Sequence, residues 1–183
     1  MSLPIRRFAA SWSLTTWLIT LLVVLVVVAV SGTALIQAEK LPSEDTAERT
    51  LLVALALIIP SILMASVLFA PLGFTVDQAG IVVNRMGPRI CICYGEIVEI
   101  RRLTRTDIGF SVRVAGSGGF LGFFGRFWST RLGSHRAYIT NGKDLVLICR
   151  HDGVKFVLSP HPASVFIEAL EQARNGADTE QET

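Results

Sequence analysis

Charge is what this sequence has least of. Only 17% of its 183 residues are Asp, Glu, Lys or Arg, against about 25% in an ordinary soluble domain. With a mean hydropathy of +0.52, the chain is neither a disordered polymer nor a simple soluble enzyme. Cysteine is scarce as well. Cys91, Cys93 and Cys149 are an odd number without framework spacing, which excludes a disulfide scaffold and fits a reducing compartment. Catalytic signatures are missing: there is no H-E-x-x-H, no G-x-S-x-G and no carboxylate pair set apart from strand surfaces. His135, His151 and His161 lie beside turns or a helix start, where solvent exposure or capping is expected. No helix-turn-helix, zinc finger or RNP-like motif is present, so nucleic acid is not an expected partner. An enzyme, a cofactor and a metal are likewise not expected. Cys91 and Cys93 share one face of a strand, but further ligands are lacking, and small buried thiols packing like Ala or Val are the expectation.

What is abundant is uninterrupted apolar sequence. Phe8 to Ala38 and Leu51 to Val76 contain no Asp, Glu, Lys or Arg. About 20 apolar residues span a bilayer core, so each run can cross once. The spacing predicts a flank at 1–16, a first transmembrane helix at 17–36, a short external loop at 37–50 and a second helix at 51–72. Trp12 and Trp17 mark the headgroup level. Pro60, in mid-span, reads as a tolerated kink. Arg6 and Arg7 precede the first span, and Arg85, Arg89, Arg101, Arg102 and Arg105 follow the second. The loop is acidic, with Glu39, Glu44, Asp45 and Glu48. The positive-inside rule then places both termini in the cytoplasm of a multi-pass plasma-membrane protein. The rival reading is a signal peptide cleaved near Ser31-Gly32-Thr33-Ala34. Its apolar run exceeds the usual 7–15 residues, and the last domain would be cytoplasmic either way.

From Phe74 onward the hydrophobic period changes to two. Ile108, Phe110, Val112 and Val114 alternate with polar residues or glycine, as do Val154, Phe156 and Leu158, the pattern of half-buried strands. Asn141-Gly142 and Asp152-Gly153 suit hairpin turns, and consecutive hairpins give an antiparallel meander. After Pro162, which suits a first helical position, Val165, Phe166, Ala169, Leu170 and Ala173 recur at helical spacing. Asn175-Gly176 is the expected stop, leaving 175–183 as a disordered acidic tail.

Two features are candidates for function. Gly116 to Arg131 holds five glycines, four phenylalanines, one tryptophan and two arginines. It matches neither a P-loop nor a Rossmann fingerprint. It reads either as a long hairpin whose glycines permit close backbone approach or as a loop presenting aromatics and arginines to a membrane or partner. Charge is also uneven: Arg85 to Arg136 carries nine arginines against Glu96, Glu99 and Asp107, a net +6 in a chain of net +2. Arginine forms flat bidentate pairs with phosphates and carboxylates, although solvated strand faces and flanking charge explain the same pattern.

Several stretches carry a family resemblance: Tyr94-Gly-Glu-Ile97, Gly116-Ser-Gly-Gly-Phe-Leu-Gly122, Gly125-Arg126-Phe127, Tyr138-Ile-Thr140, and Val157-Leu-Ser-Pro160 before Phe166-Ile-Glu-Ala-Leu170. Over roughly Phe74 to Gln172 the chain resembles the bacterial pleckstrin-homology-like (PH) domains found after two transmembrane helices. It departs at His161, where an acidic helix cap would be expected. The resemblance implies a mainly-β domain at 74–174, with about seven antiparallel strands in a small barrel or sandwich capped by a C-terminal α-helix. It also implies a binding module without catalysis, whose partner is a protein or an anionic lipid. The expected contact patch is Arg126, Arg131, Arg136, Phe124 and Trp128. The alternative is an accessory subunit of a membrane complex, its spans packing through Ser31, Gly32, Ala34, Ala65 and Ser66.

Overall fold

The computed structural model describes residues 5–42 and 44–181. Two long helices come early: α1, Leu14–Lys40, and α2, Thr46–Val67. Ser13 opens α1, its hydroxyl accepting from the Thr16 amide at 3.1 Å and so satisfying one free N–H of the first turn. Both helices are long and apolar enough to cross a membrane. At 1.5 Å per residue they measure about 40 and 33 Å, against a hydrocarbon core of about 30 Å. Their aliphatic side chains point outward. Ser31 and Ala38 on α1 and Ala56 on α2 are buried, which small residues at a close helix contact allow. Of the other small residues, Gly32, Ala34 and Ser66 are half-buried and Ala65 is exposed. Helix extends beyond the first apolar stretch because backbone hydrogen bonding carries on into polar residues. The expected loop at 37–50 shrinks to residues 41–45, and α2 ends at Val67, before Pro71. Pro60 lies inside α2 without ending it.

The β-structure forms two sheets. The first contains β1 (Arg6–Ala10), β2 (Gly73–Val76), β3 (Gly80–Asn84), β4 (Ile90–Cys93) and the short β11 (Pro160–His161), in the order β11-β1-β2-β3-β4. The second contains β5 (Ile97–Leu103), β6 (Ser111–Gly119), β7 (Gly122–Ser129), β8 (Gly133–Ile139), β9 (Leu145–Arg150) and β10 (Lys155–Leu158), in the order β5-β9-β10-β8-β7-β6. A one-turn helix, α3 (Arg105–Ile108), bridges β5 and β6, and α4 (Ala163–Gln181) closes the chain. The core lies between the sheets: Phe74, Ile81, Val83 and Ile92 face Val146, Ile148, Phe156 and Leu158, with Phe166 and Leu170 of α4 inserted at the open end. Two apolar helices, a two-sheet mainly-β domain and a capping helix are the architecture the sequence predicts.

The differences are local and have physical causes. The flank expected at 1–16 contains a strand. In β1, Phe8 lies opposite Phe74 and Ala9 opposite His161. Phe8 is buried and meets Phe166 edge-on, ring centroids 5.1 Å apart. A chain cleaved after Ala34 would lack this strand. Residues 1–4 of that flank lie outside the described residues. Among the described residues the domain after the helices has ten strands where about seven are expected, with β1 as an eleventh in its first sheet, and one pair is parallel: β10 slots between β9 and β8, pairing parallel to β8. Asn141-Gly142 therefore makes no hairpin, whereas Asp152-Gly153 does turn β9 into β10, Lys155 lying opposite Cys149. The alternation from Ile108 to Val114 also misleads. Ile108 belongs to α3, and Phe110, Val112 and Val114 are exposed because β6 is an edge strand that the narrower first sheet does not cover. In α4 the buried set is Ala163, Phe166, Ala169, Leu170 and Ala173, while Val165 faces out. The helix opens just after Pro162, whose carbonyl accepts the Phe166 amide at 3.2 Å. It continues through Asn175 and Gly176 to Gln181, since one glycine in a helix interior costs only about 1 kcal/mol. Glu182 and Thr183 of the expected tail lie outside the described residues.

Candidate functional site: a basic cleft between helices and sheet

The β6–β7 hairpin is built to bend. Gly116 and Gly125 lie opposite each other across the two strands, with φ +121° and +119°. A Cβ on Gly116 would sit 2.1 Å from the Phe124 carbonyl oxygen, and one on Gly125 2.3 Å from that of Ala115. Only glycine permits this approach. The hairpin turns at Phe120 and Leu121 and reaches α1, where Thr20 Oγ1 accepts the Leu121 amide at 3.0 Å and donates to the Thr16 carbonyl at 2.7 Å. A second clamp holds the base of α1. Thr16 Oγ1 donates to the Thr140 carbonyl at 3.0 Å, Thr140 Oγ1 to the Ser11 carbonyl at 2.9 Å, and Asn141 Nδ2 to Ser11 Oγ at 3.1 Å. A third joins the end of α2 to the loop after β3, the Gly87 amide donating to the Leu68 carbonyl at 2.7 Å.

These three attachments frame a cleft of about 990 Å³ between the helices and the β6–β7–β8 wall. Its sheet side carries Arg113, Arg126 and Arg136, with Arg85 contributed from the loop after β3. Among the described residues no Asp or Glu lines it. Its helix side is aliphatic, with Val27 of α1 and Ile59, Ile62 and Leu63 of α2. Arg126 and Arg136 are direct cross-strand partners, so their side chains share one face, and like charges directly opposite are destabilising. Arg85 lies over the Phe69 ring at 5.5 Å and donates to the Pro88 carbonyl; Arg136 lies 5.7 Å from the Phe156 centroid. Among the described residues none of these four arginines has an acidic partner. Elsewhere Arg101, Arg102 and Arg150 do, with Glu99, Asp144, and Glu96 plus Asp152. Tyr138 completes the wall. Burial raises its phenol pKa, and Arg85 and Arg136 oppose that rise.

Of the expected contact residues, the structure brings Arg126, Arg136 and Phe124 into this cleft. Trp128 is exposed two residues beyond Arg126 on the same strand, opposite Ser134. Arg131 is elsewhere: its guanidinium donates to the Thr106 carbonyl at 2.8 Å, beside α3, because the turn after β7 carries it to the other end of the hairpin. Arg85, Arg113 and Tyr138 lie in the cleft but not in the expected contact patch. Only the strand pairing and the return of α2 to the sheet bring them close. The glycine-rich segment is a long hairpin in which Phe124 and Phe127 are buried and Phe123 and Trp128 are exposed.

Three further expectations are corrected. Cys91 and Cys93 do share a face, but that face is the exposed one, Ile92 being the buried residue of β4. Cys149 is half-buried, its thiol pKa raised by burial and then by Glu99. His135 is not at the surface: it is buried, stacks on Phe127 at 6.2 Å and places Nδ1 2.9 Å from the Gly133 carbonyl oxygen. Burial holds its imidazole pKa below the usual range, and Lys155 adds to this. Among the described residues no group of three or more His, Cys, Asp or Glu side chains could hold a metal ion.

No curated protein and no solved structure matches the chain. A family model described as the bacterial PH domain matches residues 72–174, from just before β2 into α4. That stretch is more than half of the chain, and with the two-sheet sandwich and its capping helix it shows that the chain belongs to the bacterial PH domain family.

Proposed function

We propose that this chain is a membrane-integral, non-catalytic recognition module. Two spans hold its PH domain against the cytoplasmic face of the bacterial plasma membrane, with both termini on that side. One observation carries the reading: β1 precedes both helices, β2 follows them, and the two strands pair directly. Strands joined in one sheet lie on one side of a bilayer, so the chain between them crosses an even number of times. Arginines at both ends of this segment and acids in its middle support the cytoplasmic side. The cleft offers cations and aromatic surface, and its serine hydroxyls donate to the Leu63 and Phe120 carbonyls, with no His, Asp or Glu among the described residues lining it to act as a base, which supports binding rather than turnover. The exposed thiols of Cys91 and Cys93 test the placement. A membrane-impermeant maleimide is expected to label inverted vesicles and to leave intact spheroplasts unlabelled. Labelling of intact spheroplasts refutes the placement.

A second reading, an accessory subunit of a membrane complex, is favoured by a separate patch. Phe110 just before β6, Val112 on β6 and Trp128 opposite it on β7 are exposed next to the free edge of β6, and exposed apolar residues beside an edge strand make a pairing surface. A photo-crosslinker in place of Trp128 that captures one protein in stoichiometric amount supports that reading.

A further inference from the structure

We infer that a second pocket, on the opposite face of β7 and β8 from the basic cleft, binds a small aromatic acid that also carries a hydroxyl or N–H group, its carboxylate held by Arg105 and its donor by His135. This site is separate from the cleft and does not depend on the placement of the domain in the membrane. Side chains alternate along both strands. Phe124, Arg126 and Tyr138 line the cleft, whereas Phe123, Phe127 and His135 line a separate cavity of about 400 Å³. The base of α1 contributes Thr16 and Ile19 to it, and α3 contributes Arg105 and Ile108.

Two unused polar groups stand at opposite ends of this pocket. At one end is His135, 4% exposed and stacked on Phe127, which lies opposite it across the strands. Its Nδ1 lies 2.9 Å from the Gly133 carbonyl oxygen. A carbonyl can only accept, so Nδ1 carries the proton and Nε2 keeps its lone pair. Among the described residues Nε2 has no hydrogen-bond partner, and a buried acceptor left unpaired is costly. Ile139 is four residues further along β8, about 13 Å away, and Phe123 lies opposite it. Beyond Ile139, Arg105 lies against Gly142, where a Cβ would sit 2.5 Å from Nε. Glycine in the Asn141-Gly142 pair, which makes no hairpin, therefore leaves the guanidinium its room. Among the described residues that guanidinium has no hydrogen-bond or ion-pair partner. Between the two ends stand Phe123 and Phe127, ring centroids 6.4 Å apart, and a flat ring packs against such rings offset or edge-on. An occupant that satisfies both ends and the wall has a ring, a carboxylate on one side and a donor on the other. An acyl chain satisfies the wall alone, and an inorganic anion reaches Arg105 alone. About 400 Å³ is near the lower end of the roughly 300–1,000 Å³ of small-molecule sites, which suits a single ring.

The test titrates the full chain, in phosphatidylcholine nanodiscs, with para-hydroxyphenylacetate. Affinity is read by ligand-observed NMR, and the site by the Nε2 resonance of His135 in chain carrying nitrogen-labelled histidine. The probe should bind saturably and move that resonance. Phenylacetate, which lacks the donor, should bind about tenfold more weakly and leave the resonance in place. Para-cresol, which lacks the carboxylate, should also bind about tenfold more weakly. Arg105→Gln should bring para-hydroxyphenylacetate down to the level of para-cresol and leave para-cresol unchanged; the second result shows that the pocket is still folded. Arg89→Gln makes the same change in net charge at an exposed position that lines neither cavity, and should leave all three affinities intact. Absence of saturable binding overturns the proposal, as does phenylacetate binding as tightly as the hydroxylated acid. An equal loss in Arg89→Gln overturns it too, because the carboxylate then answers to net charge and not to Arg105. Each of these failures leaves the recognition module standing, and thiol labelling from outside the cell leaves this pocket standing.

Discussion

Replacing Phe8 by Ala measures how far the segment before the first helix belongs to the domain after the second. Phe8 is 8% exposed, lies opposite Phe74 in the sheet and packs edge-on against Phe166 of α4. Truncating a buried phenylalanine costs about 3–5 kcal/mol. A domain of this size loses roughly 3–6 °C of Tm per kcal/mol, so the melting temperature should fall by at least about 10 °C. The assay is near-UV circular dichroism of the full chain in detergent, which reports aromatic packing and not the helix content of the spans. Arg7→Ala provides the internal control: its side chain faces solvent from the same strand, and the expected change is within about 0.5 kcal/mol. The reasoning fails if Phe8→Ala melts within a degree or two of the parent. It also fails if a chain beginning at Leu72 melts at the same temperature as the whole, because that chain lacks β1 and leaves one edge of β2 and the ring of Phe166 uncovered.

Three further outcomes follow from the same geometry. Gly116→Ala should destabilise by about 1–3 kcal/mol on denaturant titration, because its φ of +121° and the Phe124 carbonyl leave no room for a methyl group; an unchanged midpoint would mean that the hairpin bend is absent. His135 makes stability pH-dependent. Its folded pKa lies below its unfolded value because burial disfavours the cation, so between the two the unfolded chain binds the extra proton and stability falls as pH drops below about 6.5. His135→Gln should flatten a urea-midpoint profile between neutral and mildly acidic pH, and an unchanged slope would remove His135 as the cause. Thr20→Val removes the acceptor of the Leu121 amide, and hydrogen exchange at Leu121 should accelerate about fivefold if the bond contributes about 1 kcal/mol; equal protection in both chains would show that the hairpin tip is not held by α1.

The long-range order of this chain was legible where a local pattern had one physical explanation. The two runs without charge hold the long apolar helices, although Phe8–Ala10 and Gly73–Val76 at their outer ends are strands, and the spacing of Phe166, Ala169, Leu170 and Ala173 buries one helical stripe. Alternation failed where burial depends on what lies opposite. Val112 and Val114 have the same pattern as a core strand, but the first sheet stops short of β6 and leaves them exposed. Asn141-Gly142 has turn chemistry, yet its asparagine clamps Ser11 at the base of α1 because β10 takes the place beside β8. The strand at Arg6–Ala10 is short, and its partners lie more than sixty residues away, so nothing local marks it. The cleft shows the same division. Arg126 and Phe124 stood out through their unusual neighbours, whereas Arg85 acquires its position only when α2 returns to the sheet.

The pairing of Arg6–Ala10 with Gly73–Val76 also ties completion of the sandwich to the placement of the two apolar helices between them. The earlier partner is made first and stays unpaired until both apolar helices and β2 have followed it. Under the proposed topology, a segment that failed to cross would leave the two strands in different compartments, with the edge of β2 unpaired and the ring of Phe166 uncovered.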